Sequence, residues 1–586
     1  MGKTIRSSVD SENPGFTLRA AIIGVALSLF LLMSSTYISI KLGALPWPIV
    51  FSVIVSGGLI KLLNRSQNAN IHEINTAQAG ASIGGLVAAG IAFTVPGILY
   101  LNQSQNLQIA WPNPWLLGLL TAIAGLLGVL LSVPLKYTFV DEEQLPYPSG
   151  TAGAELLKLG KTGGKQLFFI IAVGSGAAVF ALVRDVYFPT GFAISALAAI
   201  GIFLTFFPMP LGIGGGYILG PQAGFSWFLG AVVGWLVIVP LLFHKGYEPD
   251  SARAFVQNSG MGVVLGAGIG FLVGYIIPRA KRIFAPIFKT RDHFMRLAPW
   301  LALFSVTILI LTGVPWLAGL LALLGTWMMV TVAARMTGET NIDPLEQFGI
   351  FTGLVIAFIY KTASLELSMY ASFMIVAFVS VACAIAGDAG HDYKSASIVG
   401  TRFFDIVKVD IIAVICAGIA APFVIEMIRD GFSETLFTPV MPAPQAQMVA
   451  GSIFGFEYPL AFITGFVAAF LLEIGERFLP DKFRHKVLVM PLGIGMFLGF
   501  GLAIPIAVGA LIRVVTDKTY PHLYHAGLLI AAGVMGGEGI AGFGAGALTV
   551  LGLSFKVGAF SLTGIFGVVL LVALRGCFSE RNTKLS

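Results

Sequence analysis

Apolar runs of about twenty residues, separated by short polar loops, recur along the whole of this 586-residue chain. A helix of that length spans the ~30 Å hydrocarbon core of a bilayer. About seventeen such runs can be read. They cover 19–40, 46–62, 75–99, 115–140, 166–187, 191–207, 212–243 and 254–277 in the first half. In the second half they cover 298–312, 315–334, 347–362, 366–386, 409–428, 459–476, 487–513, 524–548 and 555–574. Apolar residues make up 56% of the chain and charged residues 11%, against about 25% charged in a soluble domain. No soluble core hides that much apolar surface behind so few charges. A soluble enzyme, a disordered chain and a nucleic-acid-binding module are excluded as whole-chain readings. The unbroken runs also exclude an outer-membrane barrel, whose strands alternate in polarity.

Loop charges set the expected orientation. Arg279, Lys281, Arg282, Lys289, Arg291 and Arg296 form the most basic stretch, and Arg477, Lys482, Arg484 and Lys486 form a second. Both are expected in the cytoplasm. The uncharged loop from Asn102 to Asn113 and the Pro-rich loop from Arg429 to Gln447 suit the outside. Lys3, Arg6 and Arg19 place the N-terminus inside, and Arg575, Arg581 and Lys584 place the C-terminus inside as well. Both ends inside require an even number of spans, so the expected fold is an all-α polytopic protein of about sixteen transmembrane helices. The expected division is a cytoplasmic tail over 1–18, a first transmembrane half over 19–278 and a basic cytoplasmic linker over 279–297. A second transmembrane half over 298–575 and a tail over 576–586 follow. The expected location is the cell (inner) membrane. The first apolar run has no clear cleavage signal after it and reads as a retained helix.

The halves look weakly repeated. Pro210-Leu211-Gly212-Ile213-Gly214 returns as Pro491-Leu492-Gly493-Ile494-Gly495, and Asn70-Ile71 returns as Asn341-Ile342. Internal repeats are common in secondary transporters, where helix breaks near mid-membrane expose backbone groups to a solute. With 71 glycines the chain has the means to break helices, and the Gly-rich stretch Gly527–Gly546 is the first candidate for a broken or re-entrant segment.

Several chemistries are missing. Gly160-Lys161-Thr162 lacks the glycine that a phosphate loop needs five positions earlier, where Glu155 stands. The glycines at 212 and 214 have no strand–helix unit around them. His72-Glu73 lacks the second histidine of a zinc-protease helix, because Thr76 occupies that position. Cys383, Cys416 and Cys577 are too scattered for a thiolate metal site or a disulfide framework. His522 and His525 have a spacing that a metal could use, but they read as loop residues. No metal ligand set and no cofactor are expected, and any active transport must draw on an ion gradient.

Five polar constellations interrupt the apolar background: Glu73–Ser82, Asp141–Glu155, Pro210–Gln222, Gly387–Ser395 and Gly536–Gly539. A carboxylate inside the membrane is costly unless it is paired or wet, so these stretches point to function. Bland readings stand beside this one. Asp141, Glu142 and Glu143 could edge a solvated loop, His72 and Glu73 could sit at an aqueous helix entrance, and the Asp388–Lys394 group could be an internally paired loop.

The phrases EINTAQAGAS (Glu73–Ser82), LPYPSGTA (Leu145–Ala152), GDAGHDYKS (Gly387–Ser395) and GGEG (Gly536–Gly539), in that order, resemble the oligopeptide transporter superfamily. YPSGTA and the Asp388–Asp392–Lys394 pattern look most like its yellow-stripe-like, metal-chelate arm. Ser395-Ala396 departs from the Thr-Gly of that arm, and Glu538 from its Asp. The resemblance implies about sixteen helices and proton-coupled uptake of oligopeptides or peptide-like metal chelates. The metal would arrive already chelated. The candidate solute-binding residues are Glu73, Asn75, Gln78, Ser149, Thr151, Gly214, Gln222, Asp392 and Lys394, with Glu538 or Asp388 carrying the coupled proton. The expected partners are the solute, protons and the lipid bilayer, with no nucleic acid; a homo-oligomer is left open. A passive channel and an intramembrane enzyme are the alternatives. The channel predicts a uniform pore lining, and the enzyme needs a nucleophile or metal set that does not emerge.

Overall fold

A computed structural model describes residues 14–43, 49–64, 70–158, 164–188, 191–193, 197, 201–202, 204–284, 296–341, 343–438, 440–478, 480 and 486–579. The first half comprises α1 (Leu18–Leu42), α2 (Ile49–Asn64), α3 (Ile71–Ala92), α4 (Pro96–Ser104), α5 (Pro114–Leu135), α6 (Pro148–Lys158), α7 (Gly164–Tyr187), α8 (Pro210–Ala231), α9 (Val239–His244) and α10 (Pro249–Phe284). The second half comprises α11 (Ala298–Leu311), α12 (Trp316–Thr340), α13 (Leu345–Thr362), α14 (Met369–Val399), α15 (Phe403–Gly431), α16 (Pro444–Phe454), α17 (Pro459–Gly475), α18 (Val489–Leu498), α19 (Phe500–Thr519), α20 (Tyr524–Val550) and α21 (Phe555–Ser579). Among the described residues the regular structure is helical apart from a two-residue antiparallel pairing of Phe192–Ala193 with Thr205–Phe206 and an isolated bridge between Leu436 and Met441. The helix ends follow local chemistry. Asn113 caps α5 by accepting from the N–H groups of Trp115 and Leu116, ahead of Pro114. Gly400 closes α14 in the left-handed region at φ 82°.

Among the described residues, twelve helical segments are long and apolar enough to cross a membrane. One bent pair, α16 with α17, turns through 109°, and shorter apolar helices cover Phe51–Leu63, Ala298–Leu311 and Val489–Leu498. The multi-pass class expected from the sequence is therefore present. Three expected segments differ in detail. In the apolar run 191–207, of which 194–196, 198–200 and 203 lie outside the described residues, Gly191 and Gly201 adopt left-handed φ values of 72° and 76°, and Phe192–Ala193 pairs with Thr205–Phe206 as short strands. The run 487–513 divides at Gly499 (φ 68°) into α18 and α19. The Gly-rich run is not re-entrant: it lies within the continuous α20. Its glycines serve close packing, since Gly537 lies against the Gly174 carbonyl of α7 with no room for a Cβ. Residues 279–284 of the expected linker continue α10, and 285–295 lie outside the described residues, as do 1–13 and 580–586 of the expected tails.

α3 and α14 lie at the centre of the bundle, with α14 packed against α3, α5, α12 and α13. The repeated Pro-Leu-Gly-Ile-Gly segments open α8 and lie in α18, and these elements meet face to face. Gly216 of α8 lies against the Ile506 carbonyl of α19, and Gly509 of α19 lies against the Ile213 carbonyl of α8. A reciprocal glycine–carbonyl contact of this kind lets two backbones approach without side chains between them.

Candidate functional site: a central cavity

α8 breaks at Gly220, whose φ of 84° and ψ of 174° only glycine adopts readily, and Pro221 follows without an N–H to continue the ladder. The break opens on a cavity of about 710 Å³, within the range of small-molecule sites. Both halves build its wall. Ser149 and Gln222 come from the first; Asp343, Glu346, Gln445 and Arg513 come from the second.

The Leu145–Ser149 segment joins these parts. Tyr147 adopts φ 39°, its N–H donates to the Gly338 carbonyl at 2.9 Å, and its hydroxyl donates to the Ala334 carbonyl at 2.8 Å. Its ring lies against Gly390, with no space for a side chain there. The loop is thus clamped between α12 and α14, and Ser149 is delivered to Asn341. Asn341 Oδ1 accepts from the Ser149 N–H at 3.1 Å and from its hydroxyl at 2.9 Å. Asn341 itself ends α12 in the left-handed region (φ 61°), which turns the chain so that Asp343 and Glu346 line the cavity. Gln445 donates from Nε2 to the Gly43 carbonyl at 2.8 Å, which ties the start of α16 to the end of α1.

The charges in the wall are unevenly matched. Both oxygens of Asp343 are shielded from solvent and accept from no donor among the described residues. Glu346 is buried in the first turn of α13, where the helix dipole favours a carboxylate. Arg513 supplies the guanidinium. Its Nε bonds Asp517 at 2.9 Å, its Nη1 donates to the Tyr217 carbonyl at 3.2 Å, and its plane lies over Tyr524, 4.2 Å from the ring centre. Trp227 also lines the cavity, and its buried indole N–H meets no acceptor among the described residues.

Of the residues expected at the site, Ser149 and Gln222 line this cavity. Asp388 lies one layer deeper. Gly387 beside it is in contact with Asp343 Oδ2, and the Asp388 carboxyl lies within electrostatic reach of Asp343 and Asp392. Asp392 accepts from Gln78 Nε2 at 2.8 Å and from the Ser82 hydroxyl at 3.1 Å, inside the bundle. Asn75 donates to Thr401 Oγ1 at 3.1 Å and accepts from the Ser395 hydroxyl at 2.8 Å. Thr151 donates to the Pro146 carbonyl at 2.7 Å. Lys394 is half-buried outside the wall, and Gly214 packs against α20 near the Ala531 carbonyl. The stretches Glu73–Ser82 and Gly536–Gly539 are continuous helix rather than broken backbone, and both are buried.

Two of the carboxylates are held by arginines. Glu73 accepts from the Thr17 hydroxyl at 2.6 Å and from Arg19 Nε at 2.8 Å. Glu538, fully buried, accepts from Arg184 Nη1 at 2.8 Å and from the Leu211 N–H, at the start of α8, at 2.8 Å. Arg184 also pairs with Asp185 at 2.7 Å. Glu538 thus joins α20 to α7 and to the N-terminus of α8. Within the acidic stretch, Glu143 pairs with Arg335 at 2.8 Å and Asp141 with Lys136 at 2.7 Å.

The OPT oligopeptide transporter profile matches residues 15–277 and 293–549. The chain belongs to the OPT family. A protein of Haemophilus influenzae named "Putative oligopeptide transporter" is 24% identical over 602 residues, covering 86% of this chain and 91% of its own. This OPT chain is a multi-pass membrane transporter and not an enzyme. Sequence reasoning passed over several residues that line its cavity: Asp343, Glu346, Gln445, Arg513 and Trp227. Arg513 carried a signal, as a lone cation within the apolar stretch Phe500–Val515. Asp343 and Glu346 carried a weaker one, since they directly follow the repeated Asn341-Ile342 pair.

Proposed function

We propose that this OPT-family chain is a proton-coupled symporter that imports small peptides, or peptide-like metal chelates, across the cell (inner) membrane. The N-terminus and the 279–297 linker face the cytoplasm in this reading, supported by their basic residues. The observation that carries the solute class is the cavity wall. It combines carboxylates (Asp343, Glu346), a guanidinium (Arg513) and the amides of Gln222 and Gln445 around about 710 Å³. A peptide offers both charges and a string of amide groups, and such a wall complements each of them. The family and the name of the Haemophilus relative support peptides. The YPSGTA and Asp388–Asp392–Lys394 patterns support the chelate arm.

The coupled proton is assigned to Asp388. It is 2% exposed, its Oδ1 has no donor among the described residues, and it lies within electrostatic reach of Asp343 in the cavity wall and of Asp392. A carboxyl group so placed can exchange a proton with the cavity as the solute comes and goes. Glu538, the other candidate, is committed to Arg184 and the α8 N-terminus, and we assign it to holding those helices together.

Competition decides the solute. Purified protein in liposomes is loaded with labelled trialanine by exchange, and unlabelled peptides, a ferric chelate and the free metal ion are added in turn. Competition by peptides or by the chelate, with the free ion inert, supports the reading. Indifference to both overturns it.

A further inference from the structure

Among the described residues, the acidic groups of the cavity wall outnumber its cations. Asp343 and Glu346 both line it, and Asp343 and Glu346 are within electrostatic reach of each other. Behind them, the Asp388 carboxyl lies within electrostatic reach of Asp343. Among the described residues, Arg513 is the one Lys or Arg in the wall, and its guanidinium is already engaged by Asp517. Asp343 is not spare surface charge. It fits against Gly387 so closely that a Cβ there would displace it, and both its oxygens are shielded and without a donor among the described residues. Two acidic groups held in a low-dielectric wall with no cation of their own form a site that a ligand cation completes. A second, separate group points to the rest of the ligand: the Trp227 indole N–H, in a residue 2% exposed that lines the same cavity, has no acceptor among the described residues. A buried donor of this kind is satisfied by a carbonyl or carboxylate oxygen.

We infer that Asp343 and Glu346 are the subsite for a primary ammonium group of the solute, with the Trp227 indole N–H donating to one of its carbonyl or carboxylate oxygens. The inference rests on reading the cavity as the solute site. It narrows the substrate class to peptide-like molecules with a free ammonium group, and it disfavours chelates that present only negative charge.

The test uses the full-length protein in liposomes and three unlabelled competitors of trialanine uptake: trialanine, N-acetyl-trialanine and trialanine amide. Acetylation removes the ammonium and is expected to weaken competition at least tenfold; amidation, which leaves the ammonium, is expected to cost less. Asp343→Asn should bring trialanine down to the level of its acetylated form, so that the two become equal. Should that variant not fold, thermal shifts of the unmutated protein with the same peptides give the comparison without it. Equal competition by free and acetylated trialanine overturns the subsite while leaving peptide transport standing. Undiminished discrimination in Asp343→Asn overturns it too. Absence of any peptide uptake overturns the transport reading and the subsite with it.

Discussion

Ser149 gives Asn341 two hydrogen bonds, from its backbone N–H at 3.1 Å and from its hydroxyl at 2.9 Å. One residue belongs to the first half of the chain and the other to the second, so this contact joins the halves at the wall of the cavity. Asn341 also holds the left-handed turn (φ 61°) that precedes Asp343. Asn341→Ala removes the acceptor and strains the turn, and should cost about 2 kcal/mol. Asn341→Gly removes the acceptor alone and should cost about half of that. Thermal unfolding in detergent compares the two; equal losses would show that the turn conformation contributes nothing.

Glu538 and Arg184 form a pair with almost no exposure on either side. Removing one partner of such a pair leaves a buried charge and costs about 3 kcal/mol or more. Glu538→Gln should therefore lower the melting temperature, and Arg184→Gln added to it should recover part of the loss. A double variant no better than Glu538→Gln alone would show that Asp185, also paired with Arg184, dominates this cluster.

Gly387→Ala tests the placement of Asp343 without touching its charge. The new methyl group would meet Asp343 Oδ2 directly and come 2.9 Å from Thr337 Oγ1. The carboxylate must then shift, and misplacing a binding group by an ångström is expected to raise KM for peptide uptake roughly tenfold. An unchanged KM would mean that the position of Asp343 is not used by the solute.

Much of the architecture could be read directly from the sequence because bilayer thickness imposes one length on every span. The details that escaped it have physical causes. Glycine breaks a helix at Gly220, where Pro221 follows, and at Gly499. In α20 the same residue type serves close packing with α7 and α1 instead. Composition alone does not separate these uses, because the difference lies in what the neighbouring helix presents. The site was legible only in part for a similar reason. Ser149 and Gln222 sit in conspicuous Pro- and Gly-rich motifs. Glu538 was conspicuous too, as a carboxylate in an apolar run, yet its partner Arg184 stands 354 positions away. Sequence distance of that kind hides whether a buried charge is paired or poised. Asp343 and Glu346 follow the repeated Asn341-Ile342 pair, a signal too weak by itself to mark a site.

The expected orientation has its own test. A single cysteine introduced as Thr290→Cys, in a background lacking Cys383, Cys416 and Cys577, should react in intact cells only with a membrane-permeant reagent. Labelling by an impermeant reagent would place the basic linker outside.

Asp388→Asn keeps the side-chain volume and removes the exchangeable proton. It should abolish uphill accumulation while peptide exchange at equal concentrations survives. Uphill accumulation by this variant at the unmutated rate would take the coupled proton away from Asp388.

The central claim is that a proton gradient drives a peptide-like solute through this cavity. Its most direct test is the uptake of labelled trialanine into liposomes containing the purified protein, acidic outside and alkaline within. The account predicts that the peptide accumulates above its external concentration, and that a protonophore returns it to equality. Equilibration to equal concentrations with or without the gradient, unaffected by the protonophore, would contradict the account and leave a passive pathway.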